Sequence, residues 1–146
     1  MNIKINIDDS LNPDEVVITV KKPTEKLINL LEQLKKDKIE KIVGEIDGNK
    51  YLIKSEEIIN FYANDKKVFM KTKDREYIVR YRLYELAKIL DTSKFLRISN
   101  SEIVNIDYVR KLDTSFNGQI VLETIYGDKS YVSRTYLQEF KKILEI

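Results

Sequence analysis

Apolar and polar residues alternate over 3–7, where Ile3, Ile5 and Ile7 share one face of an extended chain, and every position of 16–20 is β-branched. Both segments predict strands, separated by the turn-like Asp8-Asp9-Ser10-Leu11-Asn12-Pro13. Pro23 then opens a segment in which Leu27, Leu30, Leu31 and Leu34 recur at helical spacing, with Glu32, Gln33, Lys35 and Lys36 mostly off that stripe. The pattern predicts an amphipathic helix ending near Asp37, its leucine face packed on the neighbouring strands.

From Lys41 the chain reads almost wholly as strand, over 42–46, 51–54, 58–63, 68–72 and 77–81. Asp47-Gly48, Asn64-Asp65-Lys66-Lys67 and Lys73-Asp74-Arg75 interrupt these runs at hairpin size, which predicts a meander of short antiparallel strands. Leu83, Leu86, Ala87 and Leu90 predict a second helix, stopped by Asp91-Thr92-Ser93. Strands over 109–115 and 119–125 follow, joined at Asn117-Gly118, and a short strand over 130–133 runs into a terminal helix. Thr135 and Gln138 fit a capping box for that helix, and Leu137, Phe140 and Leu144 supply its apolar side. The fold class is mostly β with α (α+β), several small antiparallel sheets with short helices. A ββα extension over 1–47 precedes the main domain over 48–146.

Composition narrows the chemistry. The 146 residues suffice for one domain with a short extension, and 42% apolar with 34% charged residues describes a folded chain. There is no Cys and no His, which removes disulfides, thiolate nucleophiles and the two commonest zinc ligands. No metal, cofactor or catalytic residue is expected. A carboxylate hydrolase, for example around Glu56-Glu57, ranks last among the readings because adjacent acids on a strand point to opposite faces. The N-terminus has no basic start followed by an apolar run, and no stretch approaches the roughly 18 apolar residues of a membrane span, so a cytoplasmic location is expected. Before Ile58 the chain carries 10 basic and 12 acidic residues, and from Ile58 onward 16 and 12, a split of −2 against +4. Positive charge gathered on one part points mildly to an anionic partner; ordinary solvated surface explains it as well.

From about Gly48 onward the chain resembles the LytTR DNA-binding domain. The residues that carry the resemblance are Tyr51-Leu52-Ile53, Ile58-Ile59-Asn60-Phe61, Val68-Phe69-Met70-Lys71-Thr72, Leu83-Tyr84-Glu85-Leu86, the run Phe95-Leu96-Arg97-Ile98-Ser99-Asn100-Ser101-Glu102-Ile103-Val104-Asn105, and Val132-Ser133-Arg134. The preceding segment is similar to that of stand-alone LytTR regulators of low-GC bacteria, which lack a receiver domain. The resemblance implies a transcription regulator that reads double-stranded DNA with loop side chains in successive major grooves. It further implies two copies on promoter direct repeats, as a homodimer at least on DNA, and a small membrane protein that restrains the regulator. The family's base-reading positions fall on Ser99 or Asn100 and on Arg134. Many relatives carry His in place of Ser99.

The residue chemistry is compatible. Asn bonds adenine on two sites and Arg bonds guanine on two. Arg134, with Ser133 before it, lies beside an expected helix N-terminus, where backbone N–H groups attract a phosphate. A surface arginine paired with a carboxylate is the competing reading of Arg134, and a turn residue bonding its own backbone is that of Asn100. Arg97 precedes the same loop. Lys66 and Lys67 in a hairpin loop, then Lys71, Lys73, Arg75, Arg80 and Arg82, are candidate phosphate contacts that set register without specifying sequence, or else a solvated strand face. Asn105 is assigned to structure, as a loop-closing residue. The alternative function is a protein-interaction module in which the N-terminal segment docks a regulatory partner.

Overall fold

The computed structural model describes residues 3–35 and 39–146. It divides into two compact units, Met1–Asp37 and Lys38–Ile146.

In the first unit the expected turn is present: Asp8 accepts from the Ser10 hydroxyl at 2.6 Å and from the Ser10 N–H at 2.9 Å, and these bonds hold its carboxyl below the usual range. The strands expected over 3–7 and 16–20 are not formed. β-Branching favours an extended backbone but supplies no partner for its N–H and C=O groups, and among the described residues none is in place. Helix α1 (Glu25–Lys35) follows, with Thr24 Oγ1 accepting the Leu27 N–H at 3.2 Å. Its expected end near Asp37 lies outside the described residues.

The second unit contains two antiparallel sheets. Seven strands, β1 (Lys41–Ile46), β2 (Asn49–Lys54), β3 (Asn60–Asn64), β4 (Lys67–Lys71), β5 (Glu76–Val79), β6 (Phe95–Ser99) and β7 (Glu102–Asn105), lie in the order β2-β1-β5-β4-β3-β7-β6. The expected meander is therefore β3-β4-β5, extended by the β1–β2 hairpin on the β5 side and by the β6–β7 hairpin on the β3 side. The β1–β2 hairpin turns at Asp47 and Gly48, so β1 belongs to the same unit as the strands that follow. The second sheet has three strands, β8 (Val109–Phe116), β9 (Gln119–Thr124) and β10 (Lys129–Val132), in the order β10-β9-β8. Asp47-Gly48, Asp65-Lys66 and Asn117-Gly118 all take positive φ at both positions, the mirror-image turn whose twist matches that of the strands it joins.

Two cores result. Helix α2 (Leu83–Ile89) lays Leu83 and Leu86 against Phe61, Met70, Val79, Phe95 and Ile103 of the large sheet. Helix α3 (Arg134–Leu144) and the small sheet enclose Leu96, Ile98, Val104, Ile120, Leu122, Val132 and Phe140. Strands β6 and β7 contribute alternate residues to both, because successive side chains of a strand point to opposite faces. The hairpin is the wall the cores share.

At the open end of this hairpin Asn105 makes the loop-closing bonds expected of it. Its buried amide donates to the Ile58 carbonyl at 2.8 Å and accepts the Asp107 N–H at 3.0 Å. The capping box expected from Thr135 and Gln138 is absent: Ser133 is the N-cap of α3, and its side chain makes no capping bond. On the β3–β4 pair Tyr62 stacks on Phe69 with centroids 5.2 Å apart, and burial, followed by the nearby Glu76 carboxylate, pushes its phenol up to about 12.

Gly44 shows how tightly β1 meets its neighbours. A Cβ there would stand 2.5 Å from Tyr77 Cβ and 2.8 Å from Met70 Cε. Gly44→Ala is expected to cost about 1–3 kcal/mol of stability, measurable as a lower denaturant midpoint with an unchanged slope.

Candidate nucleic-acid interface

The β6–β7 turn is shaped by three local devices. The pairing shifts by one residue between Arg97 and Ser99, and Ile98, which the shift skips, turns its carbonyl to the Ser133 N–H at 2.8 Å. Arg97 reaches back along its own loop, with Nε donating to the Ser99 carbonyl at 3.1 Å and Nη2 to the Asn100 carbonyl at 3.1 Å. Ser99 Oγ accepts the Ser101 N–H at 3.2 Å, and the Ser101 carbonyl accepts the Ala63 N–H at 2.8 Å. The turn is thus tied to β3 on one side and to the start of α3 on the other.

Tyr136, in the first turn of α3, reaches one of the expected base-reading positions. Its hydroxyl donates to Asn100 Oδ1 at 3.1 Å, and the Arg97 guanidinium lies over its ring at 5.5 Å from the centroid. Tyr136 sits two residues beyond Arg134, so the Asn100 amide and the first turn of α3 occupy one rim. Arg134 is exposed, and among the described residues no carboxylate lies within ion-pairing distance of it. Sequence reasoning missed Tyr136. One aromatic in the first turn of an amphipathic helix carries no signal of what its hydroxyl reaches.

Two clefts flank this rim. Ser99, Ser133 and Arg134 line one of about 720 Å³, together with Lys129 and the β8–β9 turn at Asn117-Gly118. The one acid among its described lining residues, Glu102, is engaged, accepting from Asn60 Nδ2 at 3.0 Å and Ser130 Oγ at 2.7 Å. The other cleft, about 410 Å³, brings Lys66, Lys67, Arg80, Arg82 and Arg97 around Asn100, with no acidic side chain on its wall among the described residues. Lys66 sits at φ 62, a conformation where glycine is the easy residue, so this hairpin tip holds a cation at a local conformational cost. Of the expected site residues, Lys71 stands apart. It lies at the far end of β4 from Lys67, and its ammonium pairs with Asp128 at 2.9 Å, linking the two sheets.

Residues 48–145 match the family model of the LytTr DNA-binding domain. The chain belongs to the LytTR family. Two Staphylococcus aureus proteins, from strains NCTC 8325 and COL and each described as an HTH-type transcriptional regulator, are 34% identical to this LytTR chain over 149 aligned positions, covering 99% of it and 99% of their own length. Among solved structures, the LytTr DNA-binding domain of a Bacillus cereus response regulator superposes with a TM-score of 0.71 at 20% identity, covering 74% of this chain and 99% of that one. That likeness establishes the fold: α+β, antiparallel, with short helices. Among the described residues of this LytTR chain no two helices follow one another in sequence, so the helix-turn-helix in the relatives' description has no counterpart there. None of the described helices is long and apolar enough to cross a membrane.

Tyr136→Phe keeps the ring beneath Arg97 and removes only the bond to Asn100. It is expected to weaken binding of a selected DNA site by about 0.5–1.5 kcal/mol while the melting temperature stays at the wild-type value, as measured by fluorescence anisotropy beside a thermal melt.

Proposed function

We propose that this LytTR protein is a transcription regulator that binds double-stranded DNA sequence-specifically, inserting the β6–β7 turn and the first turn of α3 into successive major grooves. The observation that carries the reading is the shared rim: the Asn100 amide is oriented by Tyr136, and Arg134, two residues before Tyr136, has no carboxylate partner among the described residues. One lone pair of Asn100 Oδ1 is taken by the Tyr136 hydroxyl. The second lone pair and the NH₂ group suffice for the two-point bond to adenine, and the Arg134 fork suits guanine.

Around this rim the roles divide by chemistry. Lys66, Lys67, Arg80 and Arg82 present cations to phosphates, which fixes register and creates salt dependence. Ser133 begins α3 with no side-chain cap, so backbone N–H groups of its first turn are open to a phosphate. Ser99 holds the turn through Ser101, and Arg97, already bonded to two loop carbonyls, acts by holding Asn100 in place. Lys71 is assigned to its pair with Asp128. The protein works by binding, without catalysis, in the cytoplasm and as two copies on promoter repeats.

Arg134→Ala and Lys66→Gly separate reading from anchoring. On a site selected from genomic DNA, Arg134→Ala is expected to lose about 1–3 kcal/mol of specific affinity with little change on random DNA. Lys66→Gly relaxes the hairpin backbone, so stability holds or rises. Cognate and random DNA are then bound more weakly alike, and the salt slope falls by about 1. Undiminished cognate affinity in Arg134→Ala overturns the proposed role of α3.

A further inference from the structure

The residues 16–20 form the most apolar exposed run in the first unit. Val16 and Val17 are 81% and 61% exposed and Ile18 and Val20 44% and 45%, and among the described residues no backbone hydrogen bond reaches the segment. An exposed β-branched run whose backbone N–H and C=O groups have no partner is a template for another strand.

The flanking charges say which strand. Asp14 and Glu15 precede the run, and Lys21 and Lys22 follow it. Turned end for end and laid against itself about Ile18, the segment sets Glu15 opposite Lys21, Asp14 opposite Lys22, Val16 opposite Val20 and Val17 opposite Thr19. Every charged position of 14–22 then faces its opposite. A parallel alignment in register puts like on like. A hairpin with 3–7 of the same chain brings Asp8 and Asp9 up to Glu15 and Asp14, acid against acid.

We propose that 14–22 is a dimerisation strand, which pairs antiparallel with the same segment of a second copy about a two-fold axis at Ile18. Such a contact is isologous and closes on itself, giving a dimer and not a chain of copies. Val16, Ile18 and Val20 of both copies fall on one face of the ribbon, a continuous apolar strip, and Val17 and Thr19 fall on the other. Opposite-charge pairs at both ends fix the register, because a slip by two residues sets a lysine or a carboxylate against a valine. The inference is independent of the DNA-binding reading, since the state of association is measured without DNA.

The chain has no cysteine, so an introduced thiol is unique. In the full-length protein under mild oxidation, Ile18→Cys is expected to convert to a disulfide-linked dimer, since residues directly opposite in an antiparallel pair lie about 4.5–5.5 Å apart at Cα. Val16→Cys is expected to stay unlinked, its own copy being about 13 Å away along the strand, whereas Val16→Cys combined with Val20→Cys links. Sedimentation of the unmodified protein should give twice the chain mass of 17.3 kDa. Glu15→Lys, which sets lysine against lysine twice per dimer, should raise the dimer dissociation constant at least tenfold, and adding Lys21→Glu should restore it. A monomer at every concentration, equal linkage at positions 16 and 18, or failure of the charge exchange to rescue would each overturn the proposal.

Discussion

The site depends on one hairpin being buried on both faces. β6 and β7 send Phe95 and Ile103 into the core beneath α2, and Leu96, Ile98 and Val104 into the core beneath α3. A strand pair held from both sides cannot slip, because moving the register by one residue would exchange the two sets of side chains between cores. The position of its turn is fixed by both cores. The shift at Ile98 uses that rigidity: the carbonyl it diverts accepts the Ser133 N–H, and the start of α3 is pinned beside the turn.

From this anchor the chemistry of the rim follows. Asn100 and Arg134 are 34 residues apart in sequence, and the β8-β9-β10 sheet intervenes, yet one backbone bond and the Tyr136 hydroxyl bring their segments together. Arg97 spends two donors on the turn's own carbonyls and rests on Tyr136, which converts a mobile cation into a brace. The remaining cations lie to one side, where Lys66, Lys67, Arg80 and Arg82 line a cleft whose described wall has no acid, with Arg80 reaching a carboxylate, that of Glu45, at 4.0 Å. The net charge of +2 conceals this. Acids of the second unit are placed elsewhere or engaged, as Asp128 is by Lys71 and Glu102 by Asn60 and Ser130.

The two units differ in how their apolar residues are used. In the second, alternating residues of ten strands find partners and enclose two cores. In the first, the β-branched run over 16–20 is exposed and unladdered. A strand is completed by its neighbour's backbone, so strand propensity alone left 3–7 and 16–20 without ladders.

The sequence by itself determined the local elements wherever local physics sufficed. The Asp-Gly and Asn-Gly turns, the helical spacing of Leu83, Leu86 and Leu90, the strand runs of the second unit outside the β6–β7 hairpin and the loop-closing role of Asn105 were legible from residue type and period. The family was legible from the 95–105 run and the Val132-Ser133-Arg134 motif. Only the tertiary structure decided the rest. That α3 starts after Ser133 and not at Thr135, that Tyr136 orients Asn100, that Arg97 braces a turn and that Lys71 is taken by Asp128 are contacts between segments far apart in the chain, or choices between nearby residues that cost nearly the same locally. Such contacts are fixed by how two cores close on one hairpin, and no residue's own propensity encodes them.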